Sequence, residues 1–264
     1  MRINIIILLV GYVSCYGYQL HGFLGKLTDN YLKVNEPIIY GKVENILGNQ
    51  SISSISSWAD KIKRNPKYSW TRELHYIDIL ECTKDYSSGI INNYCKENCI
   101  VSVIKDFTNA LKYNSKYKYI KNKVVISNSE LLKFLIHFIQ DFNQPMHLLG
   151  FDRGGNSFKI NMYDSINKKN ISSNLHFIWD SLLPNYYIKH FNYTLPDITS
   201  NSQENLLENI LNENIKNVAC KIVPNSHYLI FQEYFVKEHF KLLFDNYHYL
   251  IIHTLKNIFD VNFN

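Results

Sequence analysis

Apolar residues recur every three or four positions in several stretches of the chain, which is the spacing of one face of an α-helix. The clearest runs are Ile52, Ile55, Ala59 and Ile62; Leu131, Phe134, Leu135 and Phe138; Leu207, Ile210, Leu211, Ile215 and Val218; and residues 227–259, which predict one long or two consecutive amphipathic helices. After the Gly154–Gly155 turn, Phe158, Ile160 and Met162 alternate with polar residues, which predicts a short strand. The pattern indicates a mainly α fold of many helices with one short β-hairpin.

The length of 264 residues allows one large domain or two small ones. We find no internal repeat and no linker of domain-separating length, so we expect a single compact domain over residues 16–264. A hydrophobic content of 46% with 19% charged residues is typical of a packed globular protein and excludes a disordered, collagen-like or membrane-bundle chain. The net charge of +5 favours anionic partners only weakly.

Residues 1–15 have the pattern of a secretory signal peptide. Arg2 supplies the positive charge, an apolar stretch follows from Ile5 to Val10, and the segment ends in small or compact residues at Cys15. The apolar stretch is shorter than the roughly 20 residues that span a bilayer. We therefore predict cleavage after Cys15, a mature chain that begins at Tyr16 without a membrane anchor, and a secreted location or one in the lumen of the endomembrane system.

Four cysteines remain after this cleavage: Cys82, Cys95, Cys99 and Cys220. An even number in an exported chain indicates two disulfides, and four cysteines permit three pairings. We favour Cys95 with Cys99, a pair that would staple a loop, and Cys82 with Cys220. Three asparagines stand in glycosylation sequons, which are used only in the secretory pathway: Asn49, Asn170 and Asn192.

Two histidine–aspartate pairs have a spacing of four residues within helical patterns: His137 with Asp141, and His176 with Asp180. This spacing puts an imidazole and a carboxylate on one helix face, within reach of a shared ion. Each pair alone is as well explained by a helix ion pair, which is worth about 0.3–0.5 kcal/mol. A single pair therefore does not define a site.

Three more potential ligands, Asp60, His75 and His147, make a metal site the better interpretation. Taken singly, Asp60 is typical of a solvated helix residue and His75 of a hydrogen-bonded core histidine. Taken together, the nitrogen and oxygen donors are typical of catalytic zinc. A closed structural zinc site is disfavoured because no cysteine belongs to the set.

Five segments in order along the chain resemble the signatures of a known family: SWAD (57–60), WTRELHYID (70–78), HFIQDFNQPMH (137–147), DRGGNSFKI (152–160) and NLHFIWD (174–180). They look like those of the secreted trinuclear zinc nucleases, the class I, S-one/P-one type also called 3'-nucleotidase/nucleases. This family shares its fold with zinc-dependent phospholipase C. The resemblance runs from about Tyr16 to Asp180, and after residue 181 only a compatible helical pattern and Cys220 remain.

The resemblance implies three zinc ions. Their ligands would be Asp60, His75, His137 and Asp141 for the first ion, with Asp141 bridging to the second; His21 and the backbone amine and carbonyl of Tyr16 for the second; and His147, His176 and Asp180 for the third. The family usually begins with Trp-Gly where this chain has Tyr16–Gly17. Because the ligand atoms belong to the main chain, Tyr should serve, and removal of the signal peptide would create a ligand.

The implied activity is hydrolysis of single-stranded DNA, RNA and 3'-nucleotides to 5'-phosphate products, with hydroxide activated by the zinc cluster. Asp60, Lys63 and Asp141 match catalytic positions, and Lys63 would stabilise the phosphate. The ordinary interpretation of Lys63 is a solvated helix lysine. No protein partner is evident, and we expect a monomer.

The resemblance also implies a substrate surface. Tyr76 and Asp78 match residues that stack on a base and hydrogen-bond its edge, a mode that favours unpaired strands. Core packing is the ordinary alternative for Tyr76. Asn156 matches a motif asparagine and is a candidate for substrate binding, whereas Asn174 is expected to cap the helix that carries His176.

Two alternatives remain. Zinc-dependent phospholipase C also matches the segment DFNQPMH, but that family ends its ligand set with Glu where this chain has Asp180. The step from His147 to His176 is also long for a phospholipase, and Tyr16 lies only five residues before His21. An inactive zinc-binding or adhesive protein would have lost ligand residues, and every expected ligand type is present here.

Overall fold

The computed structural model describes residues 17–80, 82, 88–95, 98–114, 117–119, 124–164, 169–196, 205–222 and 233–259. The α-helices in chain order are α1 (Gly17–Asn35), α2 (Pro37–Ile46), α3 (Ile52–Ile55), α4 (Trp58–Ile62), α5 (Ser88–Cys95), α6 (Ile100–Lys112), α7 (Asn128–Phe142), α8 (Leu175–Phe177), α9 (Leu183–His190), α10 (Leu206–Asn214), α11 (Cys220–Ile222) and α12 (Glu233–Phe259). Pro66–His75 and Pro145–His147 form 3₁₀ helices, and Ile178–Leu182 and Ile215–Ala219 form π-helical turns. The predicted mainly α class is confirmed.

Helix α7 is the most deeply buried element of the described chain. Its aromatic side chains Phe134 and Phe138 are fully buried and stack with their ring centroids 5.6 Å apart. Helices α1, α2, α4, α6 and α12 pack around it. Ser127 and Glu130 form a capping box at its N-terminus, which fixes where the helix begins. The predicted helical run Leu131–Phe138 thus becomes the centre of the core.

The strands form two small antiparallel pairs. The predicted strand after the Gly154–Gly155 turn is β3 (Lys159–Asp164), which pairs with β4 (Lys169–Asn174) so that Lys159 faces Asn174. The pattern did not predict a second pair, β1 (Tyr117–Tyr119) with β2 (Val124–Ile126). The hairpin β3–β4 leads directly into α8.

The apolar run from Ile52 to Ile62 forms two short helices, α3 and α4, rather than one continuous helix. The interruption falls at two serines. The hydroxyl of Ser56 donates a hydrogen bond to the main-chain carbonyl of Ile52 at 2.7 Å. The turn changes the direction of the chain, and α4 then packs against α7.

The C-terminal part covers the core. Helix α12 is one continuous helix from Glu233, and residues 227–232 of the predicted run lie outside the described residues. Among the described residues there are two disulfides: Cys82–Cys220 links α11 to the first half of the chain, and Cys95–Cys99 closes the short link between α5 and α6. In the described part of the chain no helix is both long and apolar enough to cross a bilayer.

Candidate metal centre

Helix α7 supplies the middle of a cluster of imidazoles and carboxylates. His137 and Asp141 lie one turn apart on its buried face, with His137 Nε2 at 3.1 Å from Asp141 Oδ2. The spacing of four residues therefore does bring this pair together. Both side chains are almost completely excluded from solvent.

The close docking of α1 on α3 positions the ligands next to α7. Asp29, buried on α1, accepts hydrogen bonds from the N–H groups of Ile52 and Ser53 at 3.0 Å each, and so caps α3. At Gly25 the two helices approach so closely that a Cβ would stand 2.4 Å from the hydroxyl oxygen of Ser56. Only glycine allows this approach without displacing a neighbour.

This docking places His21 of α1 and Asp60 of α4 beside α7. The Nε2 atom of His21 lies 3.3 Å from Asp141 Oδ1 and 3.9 Å from Asp60 Oδ2. On its other side, Asp60 Oδ1 lies 3.6 Å from His137 Nε2. Asp60 is therefore part of the cluster and not a solvated helix residue.

The 3₁₀ helix Pro66–His75 ends at the cluster. The Nδ1 atom of His75 lies 2.7 Å from Asp141 Oδ2 and 3.2 Å from His137 Nε2. It is also 3.8 Å from Asp60 Oδ1. His75 therefore faces the same carboxylates as His137.

A second group lies at the end of α7. His147 follows Pro145, and its Nε2 atom lies 3.8 Å from Asp180 Oδ1. His176 of α8 and Asp180 of the following π-helical turn are 3.2 Å apart, measured from Nε2 to Oδ2. The side chain of Asn174 caps α8, as predicted, by accepting from the N–H of Phe177 at 2.8 Å.

Main-chain carbonyls fix the orientation of three imidazoles through the Nδ1 atom: Ser56 for His137 at 2.7 Å, His75 for His147 at 2.7 Å, and Gly154 for His176 at 2.8 Å. A carbonyl oxygen only accepts hydrogen bonds, so each Nδ1 carries the proton. Each Nε2 is then the nitrogen that faces the carboxylates, and it can bind a cation once it has released its own proton. This arrangement is the usual support of metal-binding histidines.

The donor set fits zinc. Three groups of potential ligand atoms in the described chain lie within 4.8 Å of one another: His21, Asp60 and His137; His75, His137 and Asp141; and His147, His176 and Asp180. Imidazole nitrogens and carboxylate oxygens at such distances match catalytic zinc sites. The buried Nε2 of His75 has no hydrogen-bond partner, so its Nδ1 is the nitrogen that meets the cluster.

The carboxylates keep two histidines of the cluster protonated even when no metal ion is bound. Burial lowers the pKa of His137, but the charges of Asp141 and Asp60 outweigh it and raise this pKa to about 10. Burial is likewise outweighed at His147, where Asp141 raises the pKa to about 9. His75 differs, because burial dominates and lowers its pKa to about 4. Protons thus occupy part of a site that suits metal cations.

Lys63 reaches the same carboxylates. Its Nζ atom donates to Asp60 Oδ1 at 2.6 Å, and about a third of its side chain is exposed. Burial lowers the pKa of Lys63, but the charge of Asp60 outweighs it and the pKa is raised. Lys63 therefore remains a cation at the edge of the cluster.

The predicted substrate residues Tyr76 and Asp78 are exposed next to the cluster. They alternate with buried isoleucines, and the N–H of Ile77 donates to the carbonyl of His147 at 2.8 Å. Tyr76 exposes 38% of its surface, so core packing does not explain it. Asn156 is also exposed, and its amide donates to the carbonyl of Arg153 at 3.0 Å, in the loop whose glycine carbonyl orients His176.

Tyr16 and the predicted signal peptide lie outside the described residues, which begin at Gly17. A Cβ built on Gly17 would lie 4.0 Å from Asp180 Oδ2, so the start of α1 is at the cluster. The sequon residues Asn49, Asn170 and Asn192 are all exposed. Glycosylation stays a prediction.

Two glutamines that the sequence motifs did not single out contact potential ligands. Gln140 contacts His21, and Gln144 contacts Asp180. Gln140 lies on α7 three residues after His137, and Gln144 lies two residues past the end of α7, three residues after Asp141. This spacing of three residues from a potential ligand is a signal that could have identified them.

The comparisons with known proteins agree with this site. The family model described as S1/P1 Nuclease matches residues 16–247. The chain therefore belongs to the S1/P1 nuclease family, as the sequence motifs predicted. This family is zinc-dependent, and the match does not favour the phospholipase C alternative.

Curated relatives have similar sequences. Endonuclease 3 of Arabidopsis thaliana is 29% identical over 203 residues, which cover 75% of this chain and 65% of the relative. Endonuclease 4 of the same plant is 28% identical over 80% of this chain and 70% of the relative. Nuclease P1 of Penicillium citrinum is 29% identical over 62% of this chain and 58% of the relative. The matched region thus spans about two thirds or less of most of these relatives.

Proposed function

We propose that the protein is a zinc-dependent phosphodiesterase that hydrolyses single-stranded DNA, RNA and 3'-nucleotides and leaves 5'-phosphates on the cleaved strands. The observation that carries the proposal is the position of Asp141. One of its oxygens lies 3.3 Å from His21, and the other lies 2.7 Å from His75 and 3.1 Å from His137. A carboxylate that faces separate imidazoles with its two oxygens is suited to bridge two cations.

The proposed ligand sets are those that the family resemblance implies, and the position of Asp141 supports them. Asp60, His75, His137 and Asp141 would hold one zinc ion; His21, Asp141 and the mature N-terminus at Tyr16 a second; and His147, His176 and Asp180 a third. Bound zinc would lower the pKa of water and neutralise phosphate charge. The proximity of Gly17 to Asp180 supports a mature N-terminus at the cluster.

Lys63 would act on the phosphate directly. Its ammonium group lies beside Asp60 at the open edge of the cluster, where part of the side chain meets solvent. A phosphodiester that enters the cluster would meet this cation as an additional partner for a non-bridging oxygen. Asp60 keeps the Lys63 charge in place while it holds a ligand position.

Tyr76 and Asp78 would read the base. Both side chains lie on the exposed face of the extended segment that follows His75. Stacking on an aromatic ring requires a base that is free of its neighbours, which single strands provide. Asn156, in the loop whose Gly154 carbonyl meets His176, would contact the substrate on the side of the third ion.

The proposed compartment is the exterior or the lumen of the secretory system. Disulfides persist in oxidising compartments, and the described residues form two of them. The predicted signal peptide and the exposed sequons agree with this location. We propose a monomeric enzyme in which one chain supplies the described ligand residues.

The experiment that separates this function from a phospholipase is a paired assay of the purified mature protein. Release of acid-soluble nucleotides from single-stranded DNA and release of phosphocholine from lecithin are measured at equal protein and zinc concentrations. We expect nucleotide release alone. Phosphocholine release without nucleotide release would overturn the proposal.

A further inference from the structure

The side-chain amide of Gln140 contacts His21 through two hydrogen bonds. Its Oε1 atom lies 2.6 Å from Nδ1 of the imidazole, and its Nε2 atom donates to the main-chain carbonyl of the same residue at 3.1 Å. The Nε2 group is also within hydrogen-bond distance of Ser56 Oγ at 3.2 Å and of the Tyr247 hydroxyl at 3.5 Å. Only 3% of Gln140 is exposed, so these contacts are shielded from water.

The orientation of this amide follows from its partners. The carbonyl of His21 can only accept, so the end of Gln140 that faces it must be the NH₂ group. The carbonyl end of Gln140 therefore meets Nδ1 of His21, which must carry the proton. Nε2 of His21 is then the nitrogen that faces Asp141 and Asp60 and that a cation between them would meet.

Gln144 holds a different ligand in the same manner. Its Nε2 atom donates to Asp180 Oδ1 at 2.6 Å, and its Oε1 atom accepts from the N–H of Met146. A main-chain N–H only donates, so this amide orientation is fixed as well. Met146 precedes His147, so Gln144 ties Asp180 to the turn that carries His147.

We propose that Gln140 and Gln144 are positioning residues that support separate parts of the zinc centre: Gln140 the ion held by His21, and Gln144 the ion held by His147, His176 and Asp180. This inference rests on the proposed zinc-dependent function. Neither glutamine is a metal ligand. Each acts through a ligand, Gln140 by fixing the tautomer and the ring of His21, and Gln144 by fixing the carboxylate of Asp180.

The two supports are independent because each amide has its own main-chain anchor. Gln140 is anchored on α1, whereas Gln144 is anchored on the 3₁₀ turn after α7. Gln140 lies on α7 and Gln144 lies past its end, and no hydrogen bond joins the two amides among the contacts of the described residues. Loss of one amide should therefore affect one ion more than the others. Removal of such a supporting hydrogen bond typically weakens metal affinity by about 10- to 100-fold.

The test compares Gln140→Leu and Gln144→Leu in the mature full-length protein. After dialysis against a weak zinc chelator, zinc per chain is measured, and anomalous scattering from crystals identifies which position has lost its ion. We expect Gln140→Leu to empty the His21 position first, and Gln144→Leu to empty the His147–His176–Asp180 position first. Loss of the same ion in both variants, or unchanged zinc affinity in either, would overturn the inference.

Asn143 provides a matched control. It is a buried amide at the C-cap of α7, between the two glutamines in sequence, but it bonds to Ile139 and Asn214 rather than to a potential ligand. Asn143→Leu should lower thermal stability and leave the relative zinc occupancies unchanged. Selective zinc loss in this variant would show that any buried amide on this face has the same effect, which contradicts the inference.

Gln140→Glu is a second variant that separates loss of positioning from a folding defect in Gln140→Leu. Its carboxylate still accepts from Nδ1 of His21, so zinc at the His21 position should be retained better than in Gln140→Leu. Equal loss in both variants counts against positioning through Nδ1. A wild-type protein that binds no zinc would contradict the proposed function itself, whereas zinc-replete wild type with unselective variants contradicts only this inference.

Discussion

Individual side chains in this centre are held by groups that carry no sequence signal. Three of the potential ligand histidines are oriented by main-chain carbonyls, from Ser56, His75 and Gly154. A carbonyl belongs to every residue, so the sequence identified the imidazoles but not what orients them. The motifs thus predicted which residues converge. The fold shows in addition which nitrogen of each ring faces the carboxylates.

Tyr76 provides a test of substrate recognition. Stacking of a base on an aromatic side chain is worth about 1–3 kcal/mol. We therefore expect Tyr76→Ala to raise KM for short single-stranded DNA by about 5- to 150-fold. Zinc content should not change, because Tyr76 is exposed and is not one of the potential ligand residues. Steady-state kinetics on oligonucleotides, with metal analysis of the same sample, measures both effects.

The matched control is Tyr76→Phe, which keeps the ring and removes the hydroxyl. It should retain a KM close to that of the wild type. An unchanged KM in Tyr76→Ala, or an increase of the same size in Tyr76→Phe, would show that stacking is not the role of this residue.

Helix packing determines whether the ligands can meet. The approach of α1 to α3 at Gly25 leaves no room for a side chain, since a Cβ would also stand 2.8 Å from Ser53 Cα. Gly25→Ala should therefore lower the free energy of unfolding by about 1–3 kcal/mol through overpacking. It should also weaken zinc binding, because α1 carries His21. Chemical denaturation and zinc titration measure the two effects.

Gly41 is the control for this substitution. It lies in α2, and a Cβ there would have nothing within 4 Å. Gly41→Ala should be neutral or stabilise the protein by about 0.5–1 kcal/mol, because alanine favours the helix. If both variants have the same stability, close packing at Gly25 is not what positions α1.

The elements were predicted well where periodicity is long and poorly where local hydrogen bonds compete. The run Leu131–Phe138 became a single helix because its whole apolar face meets the core. The run Ile52–Ile62 has the same spacing but is interrupted, since Ser56 bonds to Ile52 and Asp29 caps α3 from another helix. Asp29 is 23 residues away in sequence, so no local pattern predicts its cap.

At the scale of the whole molecule, the free energy of unfolding is expected to depend on pH and on bound metal. In the metal-free protein, His137 and His147 have pKa values raised to about 10 and about 9, so their protonated forms stabilise the fold. This contribution is complete below pH 6.5, the unfolded value, and is lost as the pH rises toward 9–10. His75, with its pKa lowered to about 4, makes stability rise between pH 4 and 6.5.

We therefore expect the free energy of unfolding of the chelator-treated protein to peak near pH 6.5 and to fall by pH 9. The zinc-loaded protein should not fall over the same range, because zinc replaces the protons on the histidines and binds more tightly as they dissociate. Denaturant unfolding with and without zinc at several pH values measures this. A metal-free protein whose stability rises steadily from pH 6.5 to 9 would refute the charge arrangement described for the cluster.

The most direct measurement is the zinc content of the purified mature protein, taken together with its nuclease activity before chelation, after chelation and after zinc is restored. We predict three zinc ions per chain, loss of single-stranded DNA cleavage when they are removed, and recovery when they return. Asp141→Asn should bind at least one ion fewer and be inactive, whereas Asp106→Asn, an exposed aspartate on α6, should match the wild type. A protein that purifies without zinc, or that cleaves DNA equally fast after complete chelation, would contradict the account.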